Sequence, residues 1–129
     1  MLKALTPPTI HPPLARYSHG VEVPPGARLV FCSGQLGIAP DANIPEGVEA
    51  QATLCFEAIA AILGEAGMDL NDLIRINAFV VGREHLKGYM AVRDRLVDAI
   101  PPASTLMIVS GFARPEFVVE IEAVAARKD

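Results

Sequence analysis

Over residues 117–126 apolar positions alternate with a second, mixed set. In an extended chain Phe117, Val119, Ile121, Ala123 and Ala125 share one wholly apolar face, and Val118, Glu120, Glu122, Val124 and Ala126 share the other. The pattern predicts a strand that buries one face and carries two like charges on the second. Two carboxylates that close repel, and a buried one is costly unless paired. Either the second face meets solvent, or one acid lines a cleft. The same alternation predicts a strand over 73–81, where Ile74, Ile76, Ala78 and Val80 oppose Leu73, Arg75, Asn77 and Phe79. Another runs over 28–36, with Leu29, Phe31 and Ser33 opposite Val30 and Cys32. Shorter strands are predicted at 17–23 and 104–110.

Between them the period becomes helical. Cys55, Ile59, Ile62, Leu63 and Ala66 fall on one face of a helix over 48–66, which Gly67 stops. A second helix over 84–99 places Leu86, Tyr89, Met90, Val97 and Ile100 near one face and ends at Pro101-Pro102. Residues 24–27 and 37–47 read as turn and loop, and the proline-rich residues 1–14 as an extended, partly mobile segment. The order β-β-α-β-α-β-β is an α+β fold: residues 1–129 as one domain, with two helices on one face of a single mixed sheet. The sheet's other face then lacks cover within the chain, and subunit packing would supply it.

Composition sharpens that point. The 129 residues are 51% hydrophobic and 20% charged, with a mean hydropathy of +0.34. That apolar excess in a small chain points to an oligomer. A net charge of −4 without a Lys/Arg cluster argues against a nucleic-acid partner. No apolar run is long enough for a membrane helix, and the N-terminal residues do not read as a secretory signal, so a cytoplasmic location is expected. Cys32 and Cys55 read as buried small hydrophobes rather than a disulfide pair. His11, His19 and His85 have no metal-ligand spacing, and no dinucleotide or phosphate-loop fingerprint occurs, so neither metal nor cofactor is expected.

The candidate chemistry is sparse. Ser33-Gly34-Gln35 ends a strand where glycine would let a ligand approach the backbone. Arg114, in the turn before the acid-bearing strand, either holds an anion or serves the surface. Arg93 lies on or beside the apolar face of the second helix, where it pairs with an acid across an interface or reaches for water. Glu120 is the best candidate general acid/base, because desolvation in a half-buried cleft suits a glutamate to that work near neutral pH. Glu122 is either a second such group or the partner of an arginine.

Tyr17 before the first strand, CysSerGlyGln at 32–35, AsnAlaPheVal at 77–80, ProProAla before a strand and GluIleGluAlaValAla at 120–125 resemble the YjgF/RidA family in order and spacing. The resemblance implies a chorismate-mutase-like fold and a homotrimer with a small-molecule cleft at each subunit interface. It also implies cofactor-free hydrolysis of reactive enamines or imines derived from amino acids. Tyr17 matches the tyrosine lining that cleft, Gly34 the glycine that offers its backbone, and Glu120 the acid that positions water. Three positions depart from the pattern. Ser104 stands where the deaminase subgroup has an arginine pairing with the substrate carboxylate, Leu106 where many members have a cysteine, and Met90 where they have an asparagine. Serine supplies neither the charge nor the fork of a guanidinium. The expectation is therefore an enamine/imine deaminase-type hydrolase with a non-standard substrate or weak activity, Ser104 donating one hydrogen bond in the arginine's place. The alternative is a non-catalytic ligand-binding module of the same fold. Ribonuclease action, also associated with the family, sits poorly with the acidic balance.

Overall fold

A computed structural model describes residues 2–97 and 100–129. The strands are β1 (Lys3–Leu5), β2 (Gly20–Glu22), β3 (Arg28–Leu36), β4 (Leu73–Val81), β5 (Ala103–Val109) and β6 (Val119–Arg127). The helices are α1 (Val48–Gly64) and α2 (Leu86–Leu96). β3, β6, β4 and β5 form the main sheet in that order, antiparallel except for the parallel β4–β5 pair. The α+β class and mixed sheet are as the sequence pattern predicts.

The alternation in β4 and β6 is realised in the core. Ile76, Ala78, Val80, Val119, Ile121, Ala123 and Ala125 are buried in one cluster with Ala52, Cys55, Phe56, Ile59 and Leu63 of α1 and Tyr89 and Val92 of α2. Both helices therefore cover the same face of the sheet. The opposite face carries Glu120, Glu122, Asn77 and Phe79, and it leaves Phe31 74% exposed, Met107 53% and Leu29 52%. Large apolar side chains on a sheet face without intrachain cover are what the composition anticipates.

Two local features differ from the sequence reading. The first predicted strand shrinks to Gly20–Glu22 and leaves the main sheet, pairing instead with β1 inside the N-terminal segment. Its neighbour Ser18 explains this: Ser18 N donates to Pro102 O at 3.1 Å, its hydroxyl donates to Pro101 O, and it bridges Ala103. The chain is thus pinned at the start of β5. The second helix begins later, because Gly82 adopts φ 77° and a 3-10 turn over Arg83–His85 intervenes. Positions 98 and 99, the last of the predicted helix, lie outside the described residues. At its C-terminal end Arg16 donates to the carbonyls of Asp94 (3.0 Å) and Val97 (2.6 Å), satisfying groups the helix leaves open.

Two buried polar groups stand out. Gln51 of α1, 1% exposed, donates to Pro45 O (2.9 Å) and Glu116 O (2.8 Å) and accepts from Val118 N (2.9 Å). One side chain so ties the loop before α1 and the turn before β6 to the helix. Gln51→Leu leaves three backbone groups unsatisfied and should cost about 3 kcal/mol, a fall of about 10 °C in melting temperature. Thermal unfolding followed by circular dichroism checks this. By contrast, Tyr89 Oη is buried and finds no hydrogen-bond partner among the described residues. Burial pushes its phenol up to about 12, so it stays neutral. Tyr89→Phe removes an unpaired polar atom and should leave stability unchanged or raise it by up to about 1 kcal/mol in urea unfolding.

Candidate functional site

The register of β3 on β6 shifts between Cys32 and Gln35: three steps along β3 match two along β6, from Ala123 to Ile121. One residue at Ser33–Gly34 is thus extra, a β-bulge that bends the strand and interrupts pairing. It lies beside Glu120, which faces Leu36 on β3 and Phe79 on β4. With Glu120 as placed, position 34 has no room for a side chain, because a Cβ there would stand 2.6 Å from Glu120 Oε2 and 2.9 Å from its Cδ and the carboxylate would have to move. The missing side chain is the space the carboxylate occupies.

Gly34 and Glu120 line one concavity of about 340 Å³ on the open face, with Glu122, Phe79 and Phe112. Glu122 accepts from Asn77 Nδ2 at 3.0 Å, so its partner is the cross-strand asparagine and not an arginine. That bond occupies one oxygen of Glu122, whereas no side-chain hydrogen bond to Glu120 is formed among the described residues. The geometry thus separates two acids that the sequence pattern could not rank. Ser33 is exposed and lines a neighbouring depression with Phe31, Asn77 and Glu122. Phe79 and Phe112 escaped the sequence reading. Phe79 was visible only as an aromatic on the non-core face of β4, and Phe112 sits in a loop with no periodicity to mark it.

Tyr17 and Ser104 lie together elsewhere, in a second concavity of about 310 Å³ with Leu106, Met90 and Arg93. Tyr17 is held there by the Ser18 anchor and accepts from Leu14 N at 3.3 Å. Ser104 pairs in register with Ile76, a core residue, and so points to the helix side of the sheet. Glu120 pairs with Phe79 and points to the open side. Within one chain the two groups of site residues face opposite ways. Arg114 joins neither concavity. It pairs with Glu116 at 2.8 Å and lies 5.7 Å from the Phe117 ring centroid, at the surface. Arg93 does line a concavity, the one with Ser104.

Both cysteines are free and buried. The Cys55 thiol approaches Gln35 O at 3.1 Å, and burial, aided by the charge of Glu120, pushes it up to about 12. It remains a thiol and is no nucleophile. No group of metal-ligating side chains occurs among the described residues. None of the helices is long and apolar enough to cross a membrane among the described residues.

The family model described as Endoribonuclease L-PSP matches residues 9–127. The chain belongs to this family, the YjgF/RidA or Rid family. Among curated relatives, TdcF of Escherichia coli (strain K12), named for reactive intermediate deamination, is 30% identical over 115 residues, 86% of each chain. HMF1 of Saccharomyces cerevisiae is 29% identical over 117 residues, 89% of this chain and 87% of the relative. Among solved structures, the Rid protein YyfB of Yersinia pestis, of unknown function, superposes with a TM-score of 0.85 at 26% identity, covering 98% of both chains. The E. coli TdcF structure with bound serine gives 0.74 at 30% identity, covering 95% of this chain and 94% of that one. The Rid fold expected from the ordered residue set is thereby established. A small molecule bound to TdcF is a fact about that relative.

Proposed function

We propose that this Rid protein is an enamine/imine deaminase-type hydrolase whose site forms where two chains meet in a homotrimer. The observation that carries the reading is the fit of the Glu120 carboxylate into the space left by Gly34, at a strand bulge beside an open concavity. A strand interruption and a glycine kept clear for a carboxylate make a place for water and a small substrate. The exposed Leu29, Phe31 and Met107 supply an apolar surface for a second copy. Such a copy would bring the Tyr17–Ser104 concavity of one chain against the Gly34–Glu120 concavity of its neighbour. The name of TdcF supports the reaction type, and its bound serine supports a ligand of amino-acid size.

In the reaction water adds to the carbon of a C=N bond. Glu120 accepts a proton from the attacking water and returns it to the nitrogen, giving a carbinolamine; the same carboxylate then takes the hydroxyl proton and passes it to the amino nitrogen as the C–N bond breaks and the C=O bond forms. Ammonia leaves and a carbonyl compound remains, with water supplying its oxygen. Gly34 would hold substrate through its backbone, Tyr17 would close the cleft, and Ser104 would donate a hydrogen bond. No redox step or cofactor enters this balance.

The test is release of ammonia from imines generated in situ from neutral amino acids, read against uncatalysed hydrolysis, with the mass from light scattering in the same buffer. With Ser104 in the arginine's place, the reading expects only weak acceleration on these ordinary substrates, raised by Ser104→Arg, and a trimer mass. A trimer that binds such ligands without accelerating release would instead be the non-catalytic module of the same fold.

A further inference from the structure

The Ser33–Gly34 bulge sets a gap against Glu120, yet a bulge also interrupts the ladder that would otherwise fix the strand. Side chains hold the backbone there instead. The carbonyls on either side of Gly34 each accept from one. Ser33 O accepts from Gln35 Nε2 at 3.0 Å, and Gln35 O accepts from Cys55 Sγ at 3.1 Å. The first bond is local and at the surface. The second crosses from helix α1 to strand β3, and Cys55 has no exposed surface. The packing brings the two elements together. Gly37, buried just past the end of β3, lies so close to α1 that a Cβ there would stand 2.6 Å from Gln51 Cα. Cys55 follows Gln51 by one helical turn on the same face. The close crossing at Gly37 thus lets a side chain only one atom longer than alanine reach the strand backbone. The apolar stripe of α1 would equally admit valine at position 55, but valine has no hydrogen to donate. Burial, and after it the charge of Glu120, keeps the thiol protonated, so that it can donate. The peptide it holds links Gln35 to Leu36, and Leu36 is the residue paired with Glu120.

We propose that Cys55 is a positioning residue for the hydrolysis: its S–H bond to Gln35 O fixes the strand beyond the bulge, so that Gly34 stays seated against the Glu120 carboxylate. This rests on the reading of Gly34 and Glu120 as the reacting half of the site. Cys55 touches no substrate and acts through the backbone. A weak donor is enough, because the bond selects one orientation of a peptide and does not carry the fold. Without it, the peptide between Gln35 and Leu36 gains freedom in the one stretch of β3 that pairing leaves loose. Gly34 and Leu36 then move with it, and the carboxylate loses its fixed seat.

Three variants separate the hydrogen bond from the packing. Cys55→Ala removes the donor, Cys55→Val removes it and fills the space, and Cys55→Ser keeps a donor but places a hydroxyl in an apolar setting. Two quantities are measured well below the melting temperature of each variant: kcat and KM for ammonia release, and amide hydrogen exchange by NMR. The expected result is a kcat about 10-fold lower in Cys55→Ala and Cys55→Val, and within about threefold of wild type in Cys55→Ser. A purely structural role would order the variants by stability instead, with Cys55→Val ahead of Cys55→Ser. The amides of residues 34–36 should exchange about 10-fold faster in Cys55→Ala and Cys55→Val than in wild type or Cys55→Ser, while those of 76–80 in β4 keep their rates. In the Glu120→Gln background, Cys55→Ala should slow release no further, because both changes act on one group. Unchanged exchange at 34–36 in Cys55→Ala, or an equal loss of kcat in Cys55→Ser and Cys55→Ala, overturns the proposal. Its failure is distinct from that of the hydrolase reading. Undiminished ammonia release by Cys55→Ala keeps the hydrolase and removes the positioning role. Donor-dependent exchange at 34–36, in a wild type that releases no ammonia, keeps the thiol's hold on the bulge and removes the reaction.

Discussion

Glu120→Gln should lower the rate of ammonia release by about 100-fold or more while the fold and mass stay as in wild type. The amide keeps the shape of the carboxylate in the space beside Gly34, so the change is chemical. A glutamine cannot take the proton of the attacking water and return it to nitrogen. Glu122→Gln makes the contrast. Glu122 is already bonded to Asn77 Nδ2, and an amide oxygen at the same place can still accept that bond. Its activity should stay within about threefold of wild type, with a stability loss of no more than about 1 kcal/mol. Steady-state rates and thermal unfolding of both variants decide the assignment. If Glu122→Gln loses activity and Glu120→Gln keeps it, the roles of the two acids are reversed.

Gly34→Ala should be nearly as damaging to activity and harmless to the fold. The new methyl group would stand 2.6 Å from Glu120 Oε2 and 3.1 Å from its Cγ, so the side chain must swing aside. The atoms displaced are the end of a flexible side chain facing an open concavity, and the backbone need not move. Displacing a catalytic group by about 1 Å costs on the order of 100-fold. The double variant Gly34→Ala/Glu120→Gln should be no slower than Glu120→Gln alone, because both changes act on one group. A further, multiplicative loss in the double variant would mean that Gly34 acts independently of the carboxylate.

The elements with strict alternation were legible. β4 falls on the predicted 73–81 because its apolar positions follow the pleat and a glycine ends it. β6 shows its two faces for the same reason. The α1 stripe was legible too, though it could not reveal Gln51, a polar residue on the buried face whose partners include backbone groups of Glu116 and Val118, remote in sequence. β1 was hidden because three exposed residues carry no pattern. Their pairing with β2 depends on where Ser18 meets Pro101 and Pro102. Within the site, SerGlyGln marked the bulge only as a glycine at a strand end, and the pairing across β6 was needed to set Glu120 against it. Arg93 was visible on the helix. That it shares a cavity with Ser104 is a tertiary fact, set by where α2 packs over the sheet.

The separation of Tyr17 and Ser104 from Gly34 and Glu120 on opposite sides of one chain's sheet makes the shared site the central claim, and subunit complementation tests it most directly. Two variants are prepared: Glu120→Gln, which lacks the proton acceptor, and Ser104→Phe, whose ring fills the other concavity. Each should be inactive alone. Unfolded together in equal amounts and refolded, they form mixed trimers in which about a quarter of the interfaces pair an intact Glu120 side with an intact Ser104 side. The account predicts that ammonia release returns to about a quarter of the wild-type rate in the mixture. Mixed trimers, verified by mass, that remain as inactive as either parent would contradict it and place the whole site within a single chain.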